Sequence, residues 1–108
     1  MLRKLECYLV PSKLDSMRDA LVKNGIEGMS VTDVKGFGTR SKTKNGLPQF
    51  EDRVKVEVVV DESIVDSAIN IIRDLAGAGT IGAGKIFVVP VEDAIRLSTK
   101  EAGRSAIF

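Results

Sequence analysis

Residues 54–60 read Val54-Lys55-Val56-Glu57-Val58-Val59-Val60. Valine at every second position makes one face wholly apolar, and β-branched side chains suit a pleated backbone, so this stretch is a strand lying on a core. Downstream, Ile64, Val65, Ala68, Ile69, Ile72, Leu75 and Ala76 form one apolar stripe at helical spacing. A glycine-rich turn covers 77–84, and Ile86 to Val89 forms another strand, broken by Pro90. Upstream, Leu5, Cys7 and Leu9 share one face of a strand over 5–10, with Glu6 and Tyr8 on the other, until Pro11 ends it. Ser12-Lys13-Leu14-Asp15 then opens a helix, with Ser12 as its cap and Asp15 near the first-turn amides. Leu14, Met17, Leu21 and Val22 follow helical spacing, and Asn24-Gly25 stops the helix. Ile26 to Phe37, carrying Met29, Val31 and Val34, is a further strand. The order is β-α-β-β-α-β. It defines an α+β, ferredoxin-like sandwich: an antiparallel sheet with two helices on one face.

The chain has 108 residues, the size of one domain spanning 1–108. A chain of this length buries roughly two-thirds of its unfolded surface, enough for a core without disulfides or metal. It has no histidine, so a Ser-His-Asp triad and a His-ligated zinc site are impossible. The one cysteine, Cys7, rules out an internal disulfide, and its apolar setting reads as a buried, inert thiol. A net charge of +1 argues against broad nucleic-acid binding. RNA-recognition domains share this element order but stack bases on central-strand aromatics, and 54–60 has none. Glu6 interrupts the apolar run after Arg3 and Lys4, so no signal core forms, and the expected location is the cytoplasm. Residues 91–99 suggest a short helical turn and an edge strand, and 99–108 form a weakly specified tail.

Two stretches carry candidate chemistry. Gly77-Ala78-Gly79-Thr80-Ile81-Gly82-Ala83-Gly84-Lys85 formally contains both GxGxxG and GxxxxGK. Neither familiar motif applies: a Rossmann turn or P-loop follows a strand and opens a helix, whereas this loop does the reverse. Ile86 also stands where a P-loop needs Ser or Thr for magnesium. The physics survives, because closely spaced glycines let amides converge on an anion and Lys85 adds a charge beside them. The second stretch is Lys35-Gly36-Phe37-Gly38 and the polar loop after it, 38–52, long for a connection in so small a domain. Between Lys35 and Lys55, six basic residues face only Glu51 and Asp52, a local charge of +4 that leaves −3 for the rest. Such a basic loop is suited to a phosphate or an acidic partner. Glu57, a carboxylate within a valine strand, either faces solvent or accepts a hydrogen bond from a ligand. No pair of carboxylates has a spacing that suggests acid–base catalysis or a metal cage.

Val34-Lys35-Gly36-Phe37-Gly38, residues 54–60, and Gly82-Ala83-Gly84-Lys85-Ile86-Phe87-Val88 together resemble the PII signal-transduction (nitrogen regulatory) protein family. Pro11 to Asp15, Arg18 to Leu21 and Ala94-Ile95-Arg96 match as well, so the resemblance spans nearly everything outside 39–52. It implies a homotrimer of ferredoxin-like subunits that signals rather than catalyses. Each cleft between subunits would bind an adenine nucleotide, and the flexible loop 38–52 would read that ligand and dock on a target protein. Carried over by position, Gly82, Gly84 and Lys85 would hold phosphates, with Arg96 reaching them from the tail. Gly36 and Gly38 would line the cleft at the loop base, and Ser30, where the family has Thr, would sit near the adenine. Glu57, Val58 and Val59 would border the base and ribose.

Departures from the family pattern are equally informative. The loop is shorter and has no tyrosine, so uridylylation of a loop tyrosine is absent; Tyr8, in the first strand, is the only one. Thr39 replaces an Arg, Arg40 a Gln that helps hold magnesium and 2-oxoglutarate, and Arg53 the Lys that pairs with the 2-oxoglutarate carboxylate. Ser98 replaces the second tail arginine, and Ala83 the Asp of the glycine loop. Each lost charged hydrogen bond costs about 1.5–3 kcal/mol, which shifts the expected preference from ATP toward ADP or AMP. The resemblance therefore implies a divergent member with no metal cofactor, tied to carbon, bicarbonate or transport regulation, its partner a transporter or enzyme. A small anion such as bicarbonate is a candidate co-ligand. The alternatives are a 2-oxoglutarate-responsive nitrogen regulator and a ligand-independent trimeric scaffold. Ser41 and Thr43 are candidate modification sites in the loop.

Overall fold

Alternating valines bury one face of a strand, and here they seat a whole sheet. In the computed structural model, which describes residues 1–77 and 84–107, Val54, Val56, Val58 and Val60 are each 3% exposed or less. They lie on β5 (Glu51–Asp61), at the centre of an antiparallel sheet. Its neighbours are β1 (Leu2–Leu9) on one side and β2 (Ser30–Gly36) on the other, with β6 (Ile86–Val91) beyond β1. The register sets Leu5 against Val58, Cys7 against Val56 and Leu9 against Val54, so two apolar rows coincide. Met17 and Leu21 of α1 (Leu14–Lys23) and Ala68 and Ile72 of α2 (Val65–Ala76) cover that face. This is the β-α-β-β-α-β sandwich, its order β2-β5-β1-β6 reflecting the split crossovers. Leu2 is buried as well but lies outside that cluster. Its pairing partner Asp61 meets Arg104 of the tail at 3.5 Å.

Local chemistry moved several boundaries. Ser12 caps nothing: Pro11–Lys13 forms a single 3₁₀ turn, closed by the Lys13 N–H on the Val10 carbonyl at 3.1 Å. Proline, pre-set in φ and lacking an N–H, initiates that turn in the cap's place. Val22 is 62% exposed, because α1 buries only the narrow i, i+4 pair Met17 and Leu21. The helix ends as expected at Asn24, whose side-chain amide donates to the Ala20 carbonyl at 2.7 Å, and at Gly25, with φ of +83°. Ile26 is buried, yet the strand begins only at Ser30. Asp61 caps the turn before α2, accepting from the Ser63 N–H at 3.1 Å and the Ser63 hydroxyl at 2.6 Å. Those two bonds hold its carboxyl below the usual range. Pro90 does not break β6, which runs on to Val91 opposite Leu2. An edge strand has one side without a ladder, so the missing N–H is tolerated there.

Residues 38–52 hold more structure than a loop. β5 reaches back to Glu51, and Thr43–Lys44 (β3) pairs with Leu47–Pro48 (β4) as a two-stranded ribbon. Asn45 and Gly46 join them with φ of +55° and +78°, the two left-handed residues of a tight hairpin turn. In the tail, Ile95 bridges Ala102, and a 3₁₀ turn at Gly103–Ile107 follows. A hairpin-like turn thus stands where a helical turn and an edge strand were expected.

Candidate functional site

The antiparallel pairing sorts the site residues into three places. The carboxyl ends of β1 and β2 meet the amino ends of β5 and β6 at one end of the sheet. Gly36, Gly38, Thr39, Arg40, Gly84 and Lys85 lie there. Gly84 has φ of +95°, and a Cβ added to it would meet the Tyr8 carbonyl oxygen at 3.4 Å. Glycine is therefore favoured at position 84, which lies against the end of β1. Lys85 is exposed beside it. The Gly38 N–H donates to the Ser41 hydroxyl at 2.9 Å and its carbonyl accepts the Ser41 N–H at 3.1 Å, a tight turn that presents Thr39 and Arg40 to solvent. Gly82 and Ala83 lie outside the described residues.

Mid-sheet, on the face away from the helices, Ser30, Glu57, Glu6 and Phe87 form one row across four strands. Glu57 is neither bare nor simply solvated: Lys4 Nζ reaches it at 3.1 Å and Lys55 Nζ at 3.7 Å. Lys4 also contacts Glu6 at 2.9 Å. Glu6 and then Glu57 raise the ammonium's pKa, and Lys4 in turn lowers that of Glu6. Val59 shares this face, half-buried. Val58 points the other way, into the core at 1% exposed, so only its main chain can face a ligand. Pairing with β2 reaches only to Ser30 and Glu57, which leaves the Val58–Asp61 main chain beyond the end of β2.

Arg96 and Ser98 follow β6 at the far end of the sheet, where Arg104 and the amino terminus meet Asp61. The Arg96 Nη2 donates to the Ser105 carbonyl at 3.0 Å, and its Nε lies 3.5 Å from a Glu101 oxygen. That Nε is buried and makes no well-directed hydrogen bond. The structure therefore brings Gly36, Gly38, Thr39, Arg40, Gly84 and Lys85 to one end and leaves Arg96 and Ser98 at the other. The six residues of β6 between them span roughly 17–20 Å.

Sequence reasoning missed Glu51. Its side chain accepts the Lys42 N–H at 3.2 Å and pairs with Arg53 at 2.6 Å. The i, i+2 spacing of Glu51 and Arg53 was the available signal, since alternate strand residues share a face. Beside them, Lys35 and Asp52 pair at 2.8 Å, which raises the lysine and lowers the carboxyl. Burial pushes the Cys7 thiol up to about 11, consistent with an inert side chain. Among the described residues, no three His, Cys, Asp or Glu gather as a metal would require. Among the same residues, no helix is long and apolar enough to cross a membrane.

A four-stranded antiparallel sheet in this order, two helices behind it and a ribbon off one end define a ferredoxin-like protein of the PII type. The family model described as nitrogen regulatory protein P-II matches residues 2–101, and the chain belongs to that family of regulatory signal-transduction proteins. A nitrogen regulatory protein P-II of Azospirillum brasilense is 41% identical over 112 residues, covering 98% of this chain and all of the relative. One from Haemophilus influenzae is also 41% identical, with the same coverage. The crystal structure of Arabidopsis thaliana PII bound to citrate superposes with a TM-score of 0.82 at 42% identity, covering 97% of this chain and 91% of that one. The 112-residue alignments exceed the chain's own 108 residues, so these relatives carry residues it lacks.

Proposed function

We propose that this chain is a single-domain, cytoplasmic, trimeric sensor of adenine nucleotides that acts on a partner protein through residues 38–52. The observation that carries this reading is the division of its phosphate-directed residues between opposite ends of one sheet. Gly84 and Lys85 stand at one end and Arg96 at the other. Neighbouring copies would unite them, with the loop of one subunit facing the tail of the next. The face away from the helices suits such packing, since its charges are already paired and Phe87 is 48% exposed. In the resulting cleft, Gly84 and Lys85 would grip the phosphates while Ser30, Glu57 and the Val58–Val59 main chain border the base and ribose. Thr39 and Ser98, each in place of an arginine, give fewer cationic contacts than the family pattern, which favours ADP or AMP over ATP. Arg53 already holds Glu51, which opposes the 2-oxoglutarate-responsive alternative. A relative that binds citrate supports a small carboxylate or bicarbonate as co-ligand, within carbon or transport regulation.

Calorimetric titration with ATP, ADP and AMP, each with and without 2-oxoglutarate and then bicarbonate, tests the reading, together with mass by light scattering. ADP or AMP should bind a trimer and be indifferent to 2-oxoglutarate. Lys85→Ala should weaken that binding at least about tenfold, the worth of one charge-assisted contact. ATP binding that tightens with 2-oxoglutarate would restore the nitrogen-regulator alternative. A trimer whose thermal stability no nucleotide changes would be a scaffold.

A further inference from the structure

The tail doubles back after β6 and returns a second arginine to the neighbourhood of Arg96. The Gly103 N–H donates to the Asp93 side chain and to the Ala94 carbonyl, each at 3.0 Å, and the Arg96 N–H donates to the Glu101 carbonyl at 2.8 Å. Arg104 follows directly, and the next residue, Ser105, offers the carbonyl that the Arg96 guanidinium grips. The two guanidinium groups are committed very differently. The Arg96 side chain is 33% exposed and is spent on the tail itself, on Ser105 and Glu101. The Arg104 side chain is 69% exposed, and its Nε lies 3.5 Å from Asp61 Oδ1. An exposed pair at that distance is worth little. Asp61 does not depend on it: Oδ2 accepts the Ser63 hydroxyl at 2.6 Å and the Ser63 N–H at 3.1 Å, and the amino terminus lies 3.8 Å from Oδ1. The Ser63 bonds come ahead of Arg104 in holding that carboxyl below its usual range. Arg104 can therefore leave Asp61 without leaving a charge stranded, whereas Arg96 cannot turn without opening the tail. A phosphate is the better partner, since it accepts paired, charge-assisted bonds from a guanidinium.

We propose that Arg104 is a specificity-determining residue of the nucleotide cleft, exchanging Asp61 for a phosphate oxygen when a nucleotide binds. It adds a cation to the tail end of the sheet, so that affinity follows the phosphates and not the base alone. This rests on the reading of Arg96 as phosphate-directed, because Arg96 is what marks this end of the sheet as facing the phosphates.

Calorimetric titration of the whole protein with ADP and with adenosine tests this. Arg104→Gln should weaken ADP binding about tenfold and leave adenosine binding unchanged. Arg104→Lys, which keeps the charge, should retain most of the ADP affinity. Asp61→Asn, which keeps an acceptor for Ser63, should bind ADP at least as tightly as the parent. An Arg104→Gln variant that binds ADP like the parent overturns the proposal. So does one that loses ADP and adenosine equally, or an Asp61→Asn variant that loses ADP as badly, because the arginine would then only pin the tail. Thermal melts establish that each variant is folded; if Asp61→Asn is not, the ADP and adenosine titrations of Arg104→Gln carry the comparison. If Lys85→Ala weakens ADP and Arg104→Gln does not, the nucleotide-sensor reading stands and the role of Arg104 falls alone. A parent that binds no adenine nucleotide brings down both.

Discussion

In the sandwich, Leu5, Met17, Leu21, Ile72 and Val56 are each no more than 1% exposed; in the ribbon and its root, Phe37, Leu47 and Phe50 are 60–69% exposed. The first region is held by burial, which is non-directional and shared among many side chains. The second is held by a few directed contacts: the Phe37–Phe50 edge-to-face pair at 5.4 Å, the two-residue turn, and the Glu51 carboxylate. The molecule measures 53 × 24 × 22 Å, the long axis of a compact body with an extension. Removing one contact from the sandwich weakens everything, whereas removing one from the ribbon opens only the ribbon. That separation suits the proposed role, in which the ribbon would change state on a partner while the fold persists.

The contrast can be broken most forcefully in the core. Met17→Ala should lower global stability by about 2–5 kcal/mol, read from urea unfolding by circular dichroism, because the cavity is sealed on all sides. A loss as small as that of a surface change would mean that the sandwich is looser than its burial indicates. Gly84→Ala should cost less, roughly 1–2 kcal/mol, since an L-residue is forced to a left-handed φ of +95° where its Cβ meets the Tyr8 carbonyl. The same unfolding curve measures it, and an unchanged midpoint would show that the loop relaxes freely.

The smallest global effect belongs to acid. The Lys42 amide first, and Arg53 second, hold the Glu51 carboxyl below its ordinary 4.5. A carboxyl lowered in the folded state contributes fully above its ordinary value, and the contribution fades as pH falls through the lowered one. The Lys42 amide resonance should therefore stay in place from neutrality to below pH 4.5, then move while the sandwich remains folded. A midpoint at or above 4.5 would show that the carboxylate is not engaged.

The element order was legible because each core element carries its own period: two in Val54–Val60 and Leu5–Leu9, and near 3.6 in α2. The cap at Ser12 was misread because Pro11, one residue earlier, imposes its own turn. The ribbon was invisible to periodicity, since two-residue strands are too short to show one. Its turn residues, Asn45-Gly46, were in plain view and carried the hairpin signal. Within the candidate site, the residue types could be named from the chain, but their separation could not.

By itself, the sequence determined which faces are apolar, which chemistries are impossible without histidine or a second cysteine, and where the backbone needs glycine. These are properties of residue type and spacing, and they hold whatever the chain packs against. Only the tertiary structure decided that Lys85 and Arg96 stand at opposite ends of the sheet, that Val58 turns into the core, that Lys4 bridges Glu6 and Glu57, and that Glu51 closes the hairpin root. The physical reason is strand register. Pairing partners lie far apart in the chain, and a shift of one residue exchanges the two faces of a strand.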